Sequence, residues 1–153
     1  MPQHCTNELI FDLPEPLIDV THHIFSLTEE GPSEFNLIIN QHAIEQDESL
    51  QNYGSKLTAE MEKSLPHYQL HANGSMKVAD QDALWLIYSW VQNNQKLHQA
   101  QANFFLNKGP GKRQVIQITA TTLGRFTDEW KQTFETFLSS VKLRQDPHLA
   151  TEQ

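Results

Sequence analysis

The chain has 153 residues, 38% of them hydrophobic and 20% charged, a composition that suits one globular domain and excludes a disordered segment. Lysine and arginine number 11 against 19 aspartates and glutamates, a formal net charge of −8. A surface of that sign is repelled by phosphate backbones and anionic lipid headgroups, so nucleic acids and membrane surfaces are poor first candidates for a partner.

Cys5 is the single cysteine, so no intramolecular disulfide can form, which suits a reducing cytoplasmic setting. No basic stretch followed by an apolar run opens the chain, and no apolar run approaches the roughly 18 residues of a membrane span. Neither an export signal nor membrane insertion is expected. Residues 1–145 read as a single domain and 146–153 as a polar tail.

Residues 8–12 predict a short strand that stops at Leu13-Pro14, and Pro14 and Pro16 mark a turn or an edge. Residues 17–27 and 35–40 predict a hairpin around Glu29-Glu30-Gly31-Pro32-Ser33. Asp47-Glu48-Ser49 opens a helix whose stripe is Leu50, Tyr53, Leu57, Met61 and Leu65, and Pro66 ends it. Residues 68–72 and 76–78 predict two short strands about an Asn73-Gly74 turn. Residues 83–92, 95–106 and 113–122 predict a three-strand meander joined at Asn93-Asn94 and at the 108–112 loop. Phe126, Trp130, Phe134, Phe137, Leu138 and Val141 form a second helical stripe, with Thr127 as its N-cap. Together these predict an α+β domain: an antiparallel β-sheet with two main helices packed on one face, and with Trp85, Trp90 and Trp130 in its core.

Recognised catalytic patterns are lacking. There is no nucleophile elbow, P-loop or dinucleotide fingerprint, and Gly109-Pro110-Gly111-Lys112 has the wrong spacing and a proline without an N–H donor. His67 and His71 are four apart on an expected strand, where such residues do not converge, and His22 and His23 point to opposite faces. No metal site, no cofactor and no enzymatic activity are expected.

The informative feature is a sheet with almost no charge. Between Ala83 and Asn107 the only charged residue is Lys96, and from Gln114 to Gly124 there is none. Alternation puts Leu97, Gln99, Gln101, Asn103 and Phe105 on one face and His98, Ala100, Ala102, Phe104 and Leu106 on the other. Strand 84–91 is apolar on both faces. Helices that cover one face would leave a broad floor of amides and hydroxyls mixed with aliphatics, which is a surface for an apolar partner carrying a few hydrogen-bonding groups. Burial of that floor in a homodimer or under the chain's own loops is the competing explanation.

A resemblance sharpens this reading. Phe11-Asp12-Leu13-Pro14, Ile24-Phe25, Gly31-Pro32-Ser33, Phe35-Asn36-Leu37-Ile38-Ile39, Glu48-Ser49-Leu50 with Tyr53, Leu65-Pro66, Tyr88-Ser89-Trp90, His98-Gln99-Ala100-Gln101-Ala102, Ile118-Thr119-Ala120-Thr121 and the Trp130 helix follow the order seen in DcrB-like domains. Over residues 8–143 the chain resembles, more specifically, the Eag chaperones of type VI secretion effectors. The resemblance implies a DcrB/Mog1/PsbP-like fold. It also implies a cytoplasmic, ATP-independent homodimer that shields the apolar N-terminal helices of a PAAR/Rhs-type effector before loading. By position it puts the partner-binding residues at His22, Ile24, Ile38, Leu57, Met61, Leu97, Gln99 and Gln101. Four positions depart from the family pattern: His22 replaces an aliphatic, Asn40-Gln41 replaces Arg-Asp, and Leu57 stands where some members carry a glutamine. A DcrB-like binding or assembly module unconnected with secretion is the alternative.

Overall fold

The long strands of the chain pair mostly as sequence-adjacent hairpins, with one sequence-distant pairing between residues 35–44 and 113–122. In the computed structural model, which describes residues 3–5, 10–12, 14, 22–30 and 33–143, β1 (Gln3–Cys5) and β2 (Ile10–Asp12) make a two-stranded sheet. Strands β3 (His23–Ser26), β4 (Phe35–Ile44), β5 (Gln69–Val78), β6 (Gln81–Gln92), β7 (Gln95–Asn107) and β8 (Arg113–Leu123) form a six-stranded antiparallel sheet in the order β3-β4-β8-β7-β6-β5. Helices α1 (Leu50–Ser64) and α2 (Asp128–Ser140) complete the α+β architecture. The expected strand residues 8–9 and 17–21, turn residues 31–32 and the tail beyond 143 lie outside the described residues.

Turn chemistry fixes the hairpins. Asn93 and Asn94 both adopt positive φ, as do Ala79 and Asp80, the left-handed pairs that match strand twist in two-residue loops. The Ala79-Asp80 turn replaces the expected break at Asn73-Gly74, which lies inside a continuous β5. Gly74 is needed for space: a Cβ there would come within 2.7 Å of the Trp85 ring. Ser49 caps α1, its hydroxyl accepting from the Asn52 N–H at 3.0 Å, and Thr127 caps α2 by accepting from the Trp130 N–H.

Strand register assigns every side chain to a face. Leu37, Ala120, Ala100, Ile87 and Ala72 lie opposite one another across β4, β8, β7, β6 and β5, and α2 packs on this face through Phe134 and Leu138, with Phe126 just ahead of the helix joining the same core. Phe35 stacks on Trp130 with ring centroids 4.5 Å apart. On the other face Met61 of α1 packs with Leu86 and Tyr88, joined by Leu57, Leu65 and Trp90. The helices therefore take opposite faces, which corrects the expected placement of both on one. Strand β6 is apolar on both sides, so each side requires its own cover. Trp85, Trp90 and Trp130 are each half-buried at the borders of these packings.

Candidate functional site

The α1 face is a floor of polar but uncharged side chains with a helix along one margin. Its rows follow from register. One row is Ile24, Ile38, Thr119, Gln101 and Leu86, and the next is Ser26, Asn36, Thr121, Gln99 and Tyr88. A third carries Asn40, Gln117, Asn103 and Leu84. Every side chain in these rows is neutral: the strands supply amides, hydroxyls, aliphatics and Tyr88 here, and no Lys, Arg, Asp or Glu.

Helix α1 is seated on this face by close contact and by one clasp. Gly54 abuts the Leu84 side chain, so the helix backbone lies directly on β6. The Tyr53 hydroxyl accepts from Gln117 Nε2 at 2.6 Å, and its ring meets Phe105 edge-on. Arg113 Nη1 donates to the carbonyl oxygens of Glu45, Gln46 and Glu48 at 3.2, 2.8 and 2.7 Å, and its guanidinium lies over the Phe105 ring. Between α1 and the end of β4 a cavity of about 680 Å³ opens, lined by His42, Tyr53, Lys56, Leu57 and Gln117 among others.

The amides of the floor are tied to one another. Trp90 Nε1 donates to Gln99 Oε1 at 2.8 Å, and Gln99 Nε2 donates to Thr121 Oγ1 at 2.9 Å. Asn103 Nδ2 donates to Gln101 Oε1 at 2.9 Å, and Gln101 Nε2 donates to the Tyr88 hydroxyl at 3.3 Å. Three buried acceptors, the Oδ1 atoms of Asn36, Asn40 and Asn103, have no protein partner, so this face holds hydrogen-bonding capacity in reserve.

Burial keeps the titratable groups neutral. It pushes the Tyr53 hydroxyl from 10.0 up to about 12, against the opposing Gln117 bond. It raises Tyr88 further, with Tyr68 adding to the effect and the Gln101 bond opposing it. Desolvation lowers His42 below the usual imidazole range, so the ring is neutral near pH 7.

The eight residues named from sequence are distributed unevenly on this face. Ile24 (65% exposed) and Ile38 are adjacent in one row, Ile38 and Gln99 are half-buried, and Leu57 lines the cavity. His22 is exposed just before β3. Gln101 is on the same face but only 7% exposed, and Met61 and Leu97 are likewise buried. The accessible part of the floor is therefore the β3–β4 edge, with Gln99 half-buried farther in; on β8 Thr119 and Thr121 are each only 8% exposed, and α1 closes the β6 side. The partner-binding residues named from sequence leave out Thr119, Thr121, Asn36 and Asn40, although period-two spacing with Gln117 and Ile38 places them on the same face.

On the opposite face, beside α2, an apolar recess of about 490 Å³ is lined by Met76, Trp85, Ile87, Phe134 and Leu138. Among the described residues no group of three or more His, Cys, Asp or Glu could hold a metal ion, and no helix is long and apolar enough to cross a membrane.

Comparison with known proteins agrees with this architecture. The family described as DcrB matches residues 8–140. A Pseudomonas aeruginosa protein named Effector EagT6 is 26% identical over 137 residues, spanning 86% of this chain and 92% of that protein. Among solved structures, PA94 of Pseudomonas aeruginosa, a protein of unknown function, superposes with a TM-score of 0.74 at 22% identity over 95% of this chain and 99% of its own. LpqN of Mycobacterium tuberculosis, described as involved in cell envelope biogenesis, gives 0.62 at 14% identity over 83% of each chain. Cyanobacterial PsbP from Synechocystis gives 0.51 at 16% identity, over 91% of this chain and 89% of that one. These structural likenesses concern the fold.

Proposed function

The chain belongs to the DcrB family, and from that premise and the floor described above we propose that it is an ATP-independent chaperone or adaptor. It binds the apolar N-terminal helices of a type VI secretion effector of PAAR/Rhs kind in the cytoplasm and shields them, as a homodimer, until loading. The observation that carries this reading is the uncharged, half-open floor beside α1. An isolated transmembrane helix exposes about 20 apolar residues and aggregates in water. A surface that covers it must be apolar enough to gain from burial, and must not strand a charge beneath it.

Ile24 and Ile38 supply adjoining aliphatic area at the open side, and Leu57 stands on the helix wall. Gln99, half-buried on the floor, supplies hydrogen bonds that a polar group within the client can take up. Such bonds exchange readily with water, which suits release without nucleotide. Similarity to Effector EagT6 and the absence of any recognised catalytic motif in the sequence support the same reading.

Coexpression tests it. An effector fragment with its apolar helices should copurify with the chain, and the fragment without them should not. Equal recovery of both fragments would favour a DcrB-like assembly module unrelated to secretion.

A further inference from the structure

The function proposed above needs amides that present the right atom to the client, and an amide side chain on an open sheet can turn over. Gln99 is prevented from doing so. Its oxygen takes the Trp90 indole N–H from the β6 side and its nitrogen donates to the Thr121 hydroxyl on the β8 side. Turning the amide over would set N–H against N–H at Trp90, so only one orientation satisfies the indole. An indole N–H is only a donor, which makes it the better of the two locks. The remaining N–H of Gln99 thus stays on the β8 side, toward the open β3–β4 edge of the floor.

Thr121 is 8% exposed and lies beneath that surface, so it has little area of its own to offer a ligand. We infer that Thr121 and Trp90 are positioning residues for client capture, acting through the fixed amide of Gln99. This rests on the chaperone reading. It adds that the floor presents a donor of set direction, suited to an acceptor in the client such as a serine oxygen or a backbone carbonyl bared by a small residue. The companion pair, Asn103 and Tyr88 on Gln101, has the same form but a more deeply buried amide.

The test uses the full chain coexpressed with a soluble carrier that bears about 20 Leu and Ala residues with one central serine. Capture of the chain by the carrier is measured for the native protein, Thr121→Val, Thr121→Ser, Trp90→Phe, Gln99→Leu and the Gln99→Leu/Thr121→Val pair. Loss of one oriented hydrogen bond should lower capture by roughly two- to tenfold in Thr121→Val and in Trp90→Phe. Thr121→Ser should retain capture, and Thr121→Val should cost nothing further once Gln99 is leucine. Undiminished capture by Thr121→Val, or the same fold-loss in the Gln99→Leu background, overturns the inference and leaves the chaperone function standing. Should Thr121→Val fail to fold, Trp90→Phe with and without Gln99→Leu is read in the same way. Failure of the native chain to be captured overturns the function and this inference together.

Discussion

The two faces of the large sheet are made by the same strands but meet water differently. The α2 face is aliphatic and aromatic across its centre, with Ala100, Ala102, Ala120, Phe104 and Ile118 all buried, and small alanines let the α2 phenylalanines sit close. The α1 face has amides and hydroxyls at the equivalent positions, and its helix packs chiefly on the β6 side, reaching β7 and β8 through Tyr53. Alternating side chains let one set of strands carry a solid core on one side and a hydrogen-bonded floor on the other. The first face carries the larger buried core, and the second keeps its β3–β4 edge open to solvent.

The contrast is broken most severely from the core side. Phe104→Ala, at a residue 1% exposed, should cost about 3–5 kcal/mol in denaturant-induced unfolding. A loss well below that would mean that the α2 face is not the principal core.

A smaller effect sharpens the contrast from the floor side. The buried Tyr53 hydroxyl titrates near 12 in the folded protein against 10.0 for the free group. Its protonated form is favoured by folding, so below pH 10 its contribution is fully present. Between about pH 10 and 12 the unfolded chain releases the proton while the native chain keeps it, and stability falls as pH rises. Thermal midpoints measured across this range should drop, and Tyr53→Phe should lessen the drop. An identical alkaline profile for the variant would place the titrating group elsewhere.

The smallest expected change is the most telling for function. Ile24→Asp, on a side chain 65% exposed, should alter folding stability by no more than about 0.5 kcal/mol while abolishing copurification with apolar helices. A strongly destabilised Ile24→Asp protein would show that β3 is part of the core.

Much of this arrangement was legible in the sequence, and the failures have identifiable causes. Period-two alternation from Leu97 to Leu106 and from Val115 to Thr121 assigned each residue to its face, and Ser49, Pro66 and Thr127 marked the helix ends. The two-sided apolarity of residues 84–91 was read correctly, yet both helices were expected on one face. A strand buried on both sides has two covers, and alternation alone does not say which helix supplies each. Asn73-Gly74 has the composition of a turn but occupies a strand, because the Trp85 ring needs the space that a glycine leaves. The true turn uses Ala79 and Asp80, and alanine is an unusual occupant of left-handed backbone. On the floor, strand membership of Gln99 and Gln101 was visible. Their unequal exposure was not, since it depends on how far α1 reaches across β7.

The Arg113 clasp has a mechanical consequence. The five residues that join β4 to α1 are its pivot, and a single guanidinium grips three of their oxygens while resting on Phe105. Swinging α1 outward would first require prising those oxygens loose from a group that has no neutral form to retreat to. The gap between helix and floor is accordingly a dimension held by β8. On the function proposed above, a guest must conform to that width, because the wall does not yield to the guest.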